Sequence, residues 1–402
     1  MFKEVQLQNR QRFISEPALT TAEIQNAIDV AVECLKRNLH RFVGCFATPM
    51  EENPGGEWRN RYQTIDLPDW TSGMWTGLYW MIYELTGDTA FRKAAESQVE
   101  IMEKVARERI QLNDHDTGFK FSPSCVAAYR LTEDTKARDA ALRAAEILLE
   151  RYCPVNKFII RSGTRSPQDR YQWYRTLVDT MMNIPLLFWA YQESGEKKFY
   201  DAAVGHYNTT IKYLVREDGS SYHHFQFNPE TFEPEYGLTF QGNRNESCWS
   251  RGHSWLVYGF PCAYGYTKDA QLIDAHRAVT YYFLNHLPAD FVPYWDFDFM
   301  DGSLEPRDSS ASASAICGLL EMNRYLEDDC ADKKLFEGAA DCMLRGLMKH
   351  CANDGSNGDG ILLHSVRSKP HNYLVDTVDT YADYFYMEAL MRRLHPEWKS
   401  YF

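Results

Sequence analysis

Residues 83–91 read Tyr83-Glu84-Leu85-Thr86-Gly87-Asp88-Thr89-Ala90-Phe91, and the same device returns along the chain. Tyr129-Arg130-Leu131-Thr132-Glu133-Asp134 precedes Thr135, Tyr191-Gln192-Glu193-Ser194-Gly195-Glu196 precedes Lys197, and Tyr264-Gly265-Tyr266-Thr267-Lys268-Asp269 precedes Ala270. Tyr325-Leu326-Glu327-Asp328-Asp329 is a looser fifth copy. Each reads as a helix ending near an aromatic ring, a short turn, and an acidic residue capping the next helix. Between copies, residues 90–109, 136–152, 198–215 and 271–287 alternate apolar and charged positions with a helical period, as outer helices do. Residues 69–85, 177–191 and 254–266 are apolar nearly all round, as enclosed helices are. Residues 21–40 pair with 377–394, and 309–326 with 333–350. The pattern predicts about a dozen helices, inner alternating with outer. The expected fold is all-α, an (α/α)6 barrel formed by one domain over residues 1–402. An open helical solenoid is the alternative. Against it stand the long, unequal linkers 153–171, 216–248 and 288–308, expected to carry short strands at one mouth of the barrel.

The 402 residues carry a formal net charge of -13, which argues against nucleic-acid or anionic-membrane binding, since both need a basic surface. An anionic ligand would need locally placed positive charge. Aromatic residues make up 14 % of the chain, which suits both core packing and a sugar-binding surface. The ten cysteines include no CxxC pair and sit mostly in apolar stretches, so they read as reduced thiols. Residues 1–6 lack the apolar core of a signal peptide, and no run approaches a membrane span in length. A cytoplasmic protein is expected.

Asp179 lies within Leu177-Val178-Asp179-Thr180-Met181-Met182-Asn183-Ile184-Pro185, read here as part of an apolar helix. A carboxylate there must be paired, hydrogen-bonded or protonated. Arg175 and Asn183 would share its helical face. The residue is either a structural ion pair or an acid with a raised pKa. Asp116, in His115-Asp116-Thr117-Gly118-Phe119, is either a helix cap or a second carboxylate at the mouth. Cys248-Trp249-Ser250-Arg251-Gly252-His253-Ser254-Trp255 places two indoles around a guanidinium, suited to a sugar face and its carboxylate or to capping and core packing. Trp70 and Trp75 have the same character. His223 and His224 follow a glycine-bearing loop. No HExxH, Cys/His cluster, phosphate loop or GxSxG elbow occurs, so neither a metal nor an organic cofactor is expected.

Six segments together resemble the unsaturated glucuronyl hydrolases of glycoside hydrolase family 88. They are DWTSGMW at 69–75, HDTGF at 115–119, DTMMN at 179–183, CWSRGHSW at 248–255, PYWDFD at 293–298 and RDSSASASAICGLLEM at 307–322. The resemblance implies an (α/α)6 barrel and the release of a 4,5-unsaturated uronic acid from lyase-generated glycosaminoglycan disaccharides. It implies hydration of the vinyl ether: Asp179 protonates C4, water adds at C5, and the hemiketal opens. Asp116 matches the second essential aspartate. Trp70, His223, Gln241, Trp249, Arg251 and Trp255 match substrate-pocket residues, with His115 an adjacent candidate.

Some members hold a sulfate with a Ser/Lys loop, and Ser365, Ser368 and Lys369 have the right residue types here. Their spacing departs from that pattern, because Lys369 follows Ser368 directly. A small acidic oligosaccharide is the expected partner of a monomer or homodimer. The alternatives are an unsaturated rhamnogalacturonyl hydrolase, an α/α-barrel epimerase or isomerase using His223 and His253, and a noncatalytic sugar-binding helical protein.

Overall fold

In the computed structural model, residues 5–50, 60–161 and 174–402 are described. The outer helices are α1 (Thr21–Asn38), α3 (Thr89–Glu108), α6 (Thr135–Leu149), α8 (Lys197–Tyr213), α10 (Gln271–Asn285) and α12 (Ala331–His350). The inner ones are α2 (Ser72–Thr86), a composite of α4 (Thr117–Phe121) and α5 (Ala127–Thr132), α7 (Pro185–Ser194), α9 (Ser250–Thr267), α11 (Ser309–Asn323) and α13 (Thr380–Leu394). A π-helical turn over Ser122–Val126, with Pro123 near its start, joins α4 to α5. The last inner helix packs on the first, which closes the (α/α)6 ring.

The repeated turn works by local chemistry. Gly87 and Gly195 end α2 and α7 in the left-handed conformation, at φ 70° and 74°. Asp88 and Asp134 then accept the backbone N–H groups of Ala90 and Lys136, each at 2.9 Å. The fifth copy is looser in space too: α12 has Cys330 at its cap, with no side-chain cap bond. Inner helices α2 and α11 are buried along most of their length. Outer helix α3 buries one stripe.

The connections running from each outer helix to the next inner one carry the strands. They include the hairpin β1 (Phe46–Pro49) with β2 (Tyr62–Ile65) and the short pair β3 (Tyr152–Cys153) with β4 (Phe158–Ile159). The three-stranded sheet is β5 (Arg175–Leu177), β6 (His224–Phe227) and β7 (Pro234–Leu238), and the last hairpin is β8 (Ser365–Ser368) with β9 (Tyr373–Thr377). Part of the linker expected over 153–171 lies outside the described residues.

One expected helix is shortened. Residues 175–177 pair with β6, and Val178–Met182 form a 3-10 turn, so Asp179 stands before the inner helix and not inside it. The helix begins at Pro185, which needs no N–H partner in a first turn. Arg175 is in the strand, so the helical face expected to join it to Asp179 does not exist.

Candidate active site

All six inner helices begin at one mouth, and their starts carry the chemistry. Asp69, Asp116, Asp179, Asp308 and Asp379 stand at or just before the starts of five inner helices, and Trp249 and Arg251 occupy the sixth. Helix N-termini favour negative charge, which suits this placement. Three of the aspartates are committed. Asp69 Oδ1 accepts Thr71 N–H at 2.8 Å, Asp308 Oδ1 accepts Ser310 N–H at 3.2 Å, and Asp379 takes both ends of the Arg367 guanidinium at 2.8 Å. Asp116 and Asp179 make no side-chain cap bond. Capping was one expected role for Asp116, and the geometry removes it.

Each uncapped aspartate faces a histidine. His115 Nε2 lies 3.4 Å from Asp116 Oδ1, and its Nδ1 is 2.7 Å from Thr180 Oγ. His223 Nε2 lies 3.5 Å from Asp179 Oδ2. The backbone N–H groups of Phe240 and Gln241 point at His223 Nδ1 from 3.3 and 3.4 Å, which leaves the proton on Nε2, facing Asp179. His223, and not His224, is the one turned to the carboxylate.

The two carboxyls hold protons differently. Burial pushes Asp116 well above the usual aspartate value, and the neighbouring charges of Asp114 and Asp179 add to this against Lys120 and Arg161. Burial also raises Asp179, but the hydrogen bond and charge of His223, with His115 and Arg251, outweigh it and leave that carboxyl below its usual value. The raised acid of the pair is therefore Asp116, the reverse of the expectation for Asp179. Burial lowers His223 against the pull of Asp179 and drops His115 to about 4, so both rings are neutral at neutral pH.

A closed belt of rings and hydrogen bonds joins these groups. His223 lies on Trp249 with ring centres 4.5 Å apart. The Arg251 guanidinium sits 4.7 Å from the Trp249 ring and 4.6 Å from that of Tyr381. Tyr381 stacks on Trp70 at 5.2 Å and 27°, and Trp70 meets Phe119 at 5.6 Å. Phe119 N–H donates to Asn183 Oδ1 at 2.7 Å, and Asn183 Nδ2 donates to the Asp179 carbonyl at 3.1 Å. Gly118 is required at this closure: a Cβ there would lie 2.3 Å from the Asn183 carbonyl oxygen and 2.4 Å from its Cα.

The remaining candidates differ in access. Asp116 and Asp179 keep 20 % and 16 % of their side-chain surface exposed, whereas Arg251 keeps 1 %. Arg251 Nη2 donates to the Arg367 carbonyl at 2.7 Å, and its Nε is 3.8 Å from Asp308 Oδ2. Gln241 donates to the same carbonyl at 2.6 Å. Trp255 is fully enclosed between Phe119 and Phe385 and supports the belt from beneath. His253 is equally enclosed, its ring nitrogens bonded to Ser221 Oγ and the Val279 carbonyl, so it is no second base at the mouth.

Each of the three loop residues has a partner within the fold. Ser365 is buried against Tyr381 OH, Ser368 bonds His371 Nδ1 at 2.7 Å, and Lys369 leans to Glu305 at 3.7 Å. Among the described residues, no group of three or more His, Cys, Asp or Glu side chains could hold a metal ion. Sequence reading gave no role to Tyr381, Arg367, Asp308, Asp379 or Thr180. Asp308 lay within a quoted motif, and the spaced aspartates before inner helices were the available signal.

Comparison with known proteins agrees with this architecture. The model of Glycosyl Hydrolase Family 88 matches residues 47–395. The unsaturated chondroitin disaccharide hydrolase of Streptococcus pneumoniae is 41 % identical over 405 residues, covering 100 % of both chains. The crystal structure of an unsaturated glucuronyl hydrolase from Streptococcus agalactiae superposes with a TM-score of 0.94 at 38 % identity, covering 100 % of this chain and 99 % of that one. A mutant of that enzyme complexed with dGlcA-GalNAc6S superposes at 0.87 with 37 % identity, covering 100 % of each.

Proposed function

The chain belongs to glycosyl hydrolase family 88 and is a glycoside hydrolase, and from that premise we propose that it hydrates the 4,5-double bond of an unsaturated uronic acid and so frees the neighbouring sugar of a chondroitin-type disaccharide. The observation that carries the reading is the pair of uncapped aspartates at the mouth, each facing a buried histidine, on the same belt as the Arg251 guanidinium.

The free site holds one proton on this pair, at Asp116. The uronate carboxylate is drawn towards the Arg251 end of the belt, and the half-buried Trp70 ring, backed by the enclosed Tyr381, walls the sugar. An anion arriving beside Asp179 raises that carboxyl's proton affinity, so the group ionised in the free enzyme becomes the acid in the complex. The pair's one proton passes from Asp116 to Asp179, which protonates C4, while the now ionised Asp116, with His115, stabilises the positive charge growing at C5. Water adds at C5 and returns its proton to Asp179. The hemiketal opens, breaking the bond to the leaving sugar. No step requires a metal.

Ser365 has no exposed surface, and a sulfate on the leaving sugar would have to draw Lys369 away from Glu305. All ten cysteines are free thiols, which suits a reducing compartment, so we place the enzyme in the cytoplasm. No described helix is long and apolar enough to cross a membrane.

The test is a panel of lyase-generated disaccharides from chondroitin, hyaluronan, heparin and pectin, followed by loss of the alkene's ultraviolet absorbance. Fastest loss is expected with the chondroitin product. Fastest loss with the pectin fragment would assign the rhamnogalacturonan reading instead, and unchanged absorbance throughout would end the proposal.

A further inference from the structure

The connections that build the catalytic mouth also carry most of the exposed apolar surface. Of ten large apolar residues exposed among the described residues, eight lie in the segments leading from an outer to an inner helix. Exposed apolar groups gathered around one opening mark a binding surface more than chance does. Phe240, 52 % exposed, is joined to the chemistry by direct contacts. Its own N–H points at His223 Nδ1, and the adjoining Gln241 holds the Arg367 carbonyl that also receives Arg251. From the turn between β8 and β9, His371 brings its ring to 4.2 Å from that of Phe240, at 32°. His371 is itself fixed by the Ser368 hydroxyl, one residue beyond Arg367. An exposed ring pair is thus built on the two segments that orient His223 and Arg251.

We propose that Phe240 and His371 form a ledge on which the leaving sugar rests, making them determinants of which disaccharides the enzyme accepts. The inference rests on the hydrolase reading above. The groups assigned to the uronate are largely covered, Arg251 almost wholly, so the sugar to be released lies outside them against the rim. The C–H face of a pyranose matches an exposed ring, and the ledge needs no charge on that sugar. It therefore selects for the presence and shape of a second sugar, separately from any sulfate.

The experiment compares kcat/KM on a chondroitin-type unsaturated disaccharide with kcat/KM on the methyl glycoside of the same unsaturated uronic acid, which has no second sugar. Phe240→Ala should lower the disaccharide-to-methyl ratio about tenfold, the scale of one lost ring contact. His371→Ala, on a different element, should lower the same ratio, and Phe240→Trp should keep it. A ratio unchanged in both alanine variants, or both substrates losing rate in parallel, overturns the ledge. A wild-type enzyme inactive on both substrates would instead overturn the hydrolase reading, and the ledge with it. A wild-type enzyme active on both, with an unmoved ratio in the variants, removes the ledge alone.

Discussion

The two mouths of the barrel receive opposite ends of the same six helices and treat charge in opposite ways. At the end where the inner helices stop, cations gather: Arg130 and Arg392 stand in last turns and Arg324 just after one. Helix C-termini favour this. These cations are answered locally. Arg392 donates to Glu388 at 2.8 Å and Glu321 at 2.6 Å, while Arg130 and Arg324 hold the carbonyls of Ser400 and Trp398 in the segment that covers this end. At the end where the helices start, aspartates gather, but among the described residues the side chains of two of the five have only a histidine, more than 3.3 Å away. The closed end illustrates how the fold satisfies charge when stability is the only demand. The open end shows charge held back for a ligand.

Removing the held-back charge should have the largest effect. Asp179→Asn should lower kcat about a thousandfold or more while substrate still binds, as read by alkene absorbance and calorimetric titration. Near-normal turnover in this variant would show that the open end is as structural as the closed one. A smaller effect sharpens the division within the pair. In the wild type, kcat/KM should fall at low pH as Asp179 and His223 take up protons, below their usual values of 3.8 and 6.5. It should fall at high pH as Asp116 loses its proton, well above 3.8. Asp116→Asn should cost about a hundredfold and move the alkaline limb to lower pH, since Asp179 must then take up the proton alone. An alkaline limb unchanged in that variant would assign it to another group.

The smallest effect on turnover is expected from the closed end. Arg392→Met leaves Glu321 and Glu388 buried without their partner and should cost about 3–5 kcal/mol of stability in urea unfolding. The pH profile of the enzyme that remains folded should stay in place. A displaced profile would mean that the two ends are coupled through the inner helices.

The ring of helices was legible because its turns are made by neighbours in sequence. Gly87 and Asp88, or Glu133 and Asp134, act within four residues of the helix ends they define. Asp179 was legible as an unusual acid but not in its conformation. The pairing of residues 175–177 with 224–226 spans nearly fifty positions, and local apolarity resembles a helix just as well. For the same reason its partner was read as Arg175 when the fold supplies His223. The indoles around Arg251 were visible as a group, yet Tyr381 reaches the same guanidinium from the far end of the chain. The burial of Arg251 follows from the Arg367 carbonyl, Asp308 and the Tyr381 ring, which arrive from separate elements against the neighbouring Trp249. The His115–Thr180 contact likewise joins two motifs quoted separately.

The meeting of Gly118 with Asn183 sets the gauge of the reaction centre. Main chain rests on main chain between the segments that carry the two acids, and not even a methyl group fits there. Their spacing is therefore ruled by covalent geometry and van der Waals radii, quantities that no rotamer change can adjust. A lineage adapting to a new sugar would have to remodel the rim and leave this caliper alone.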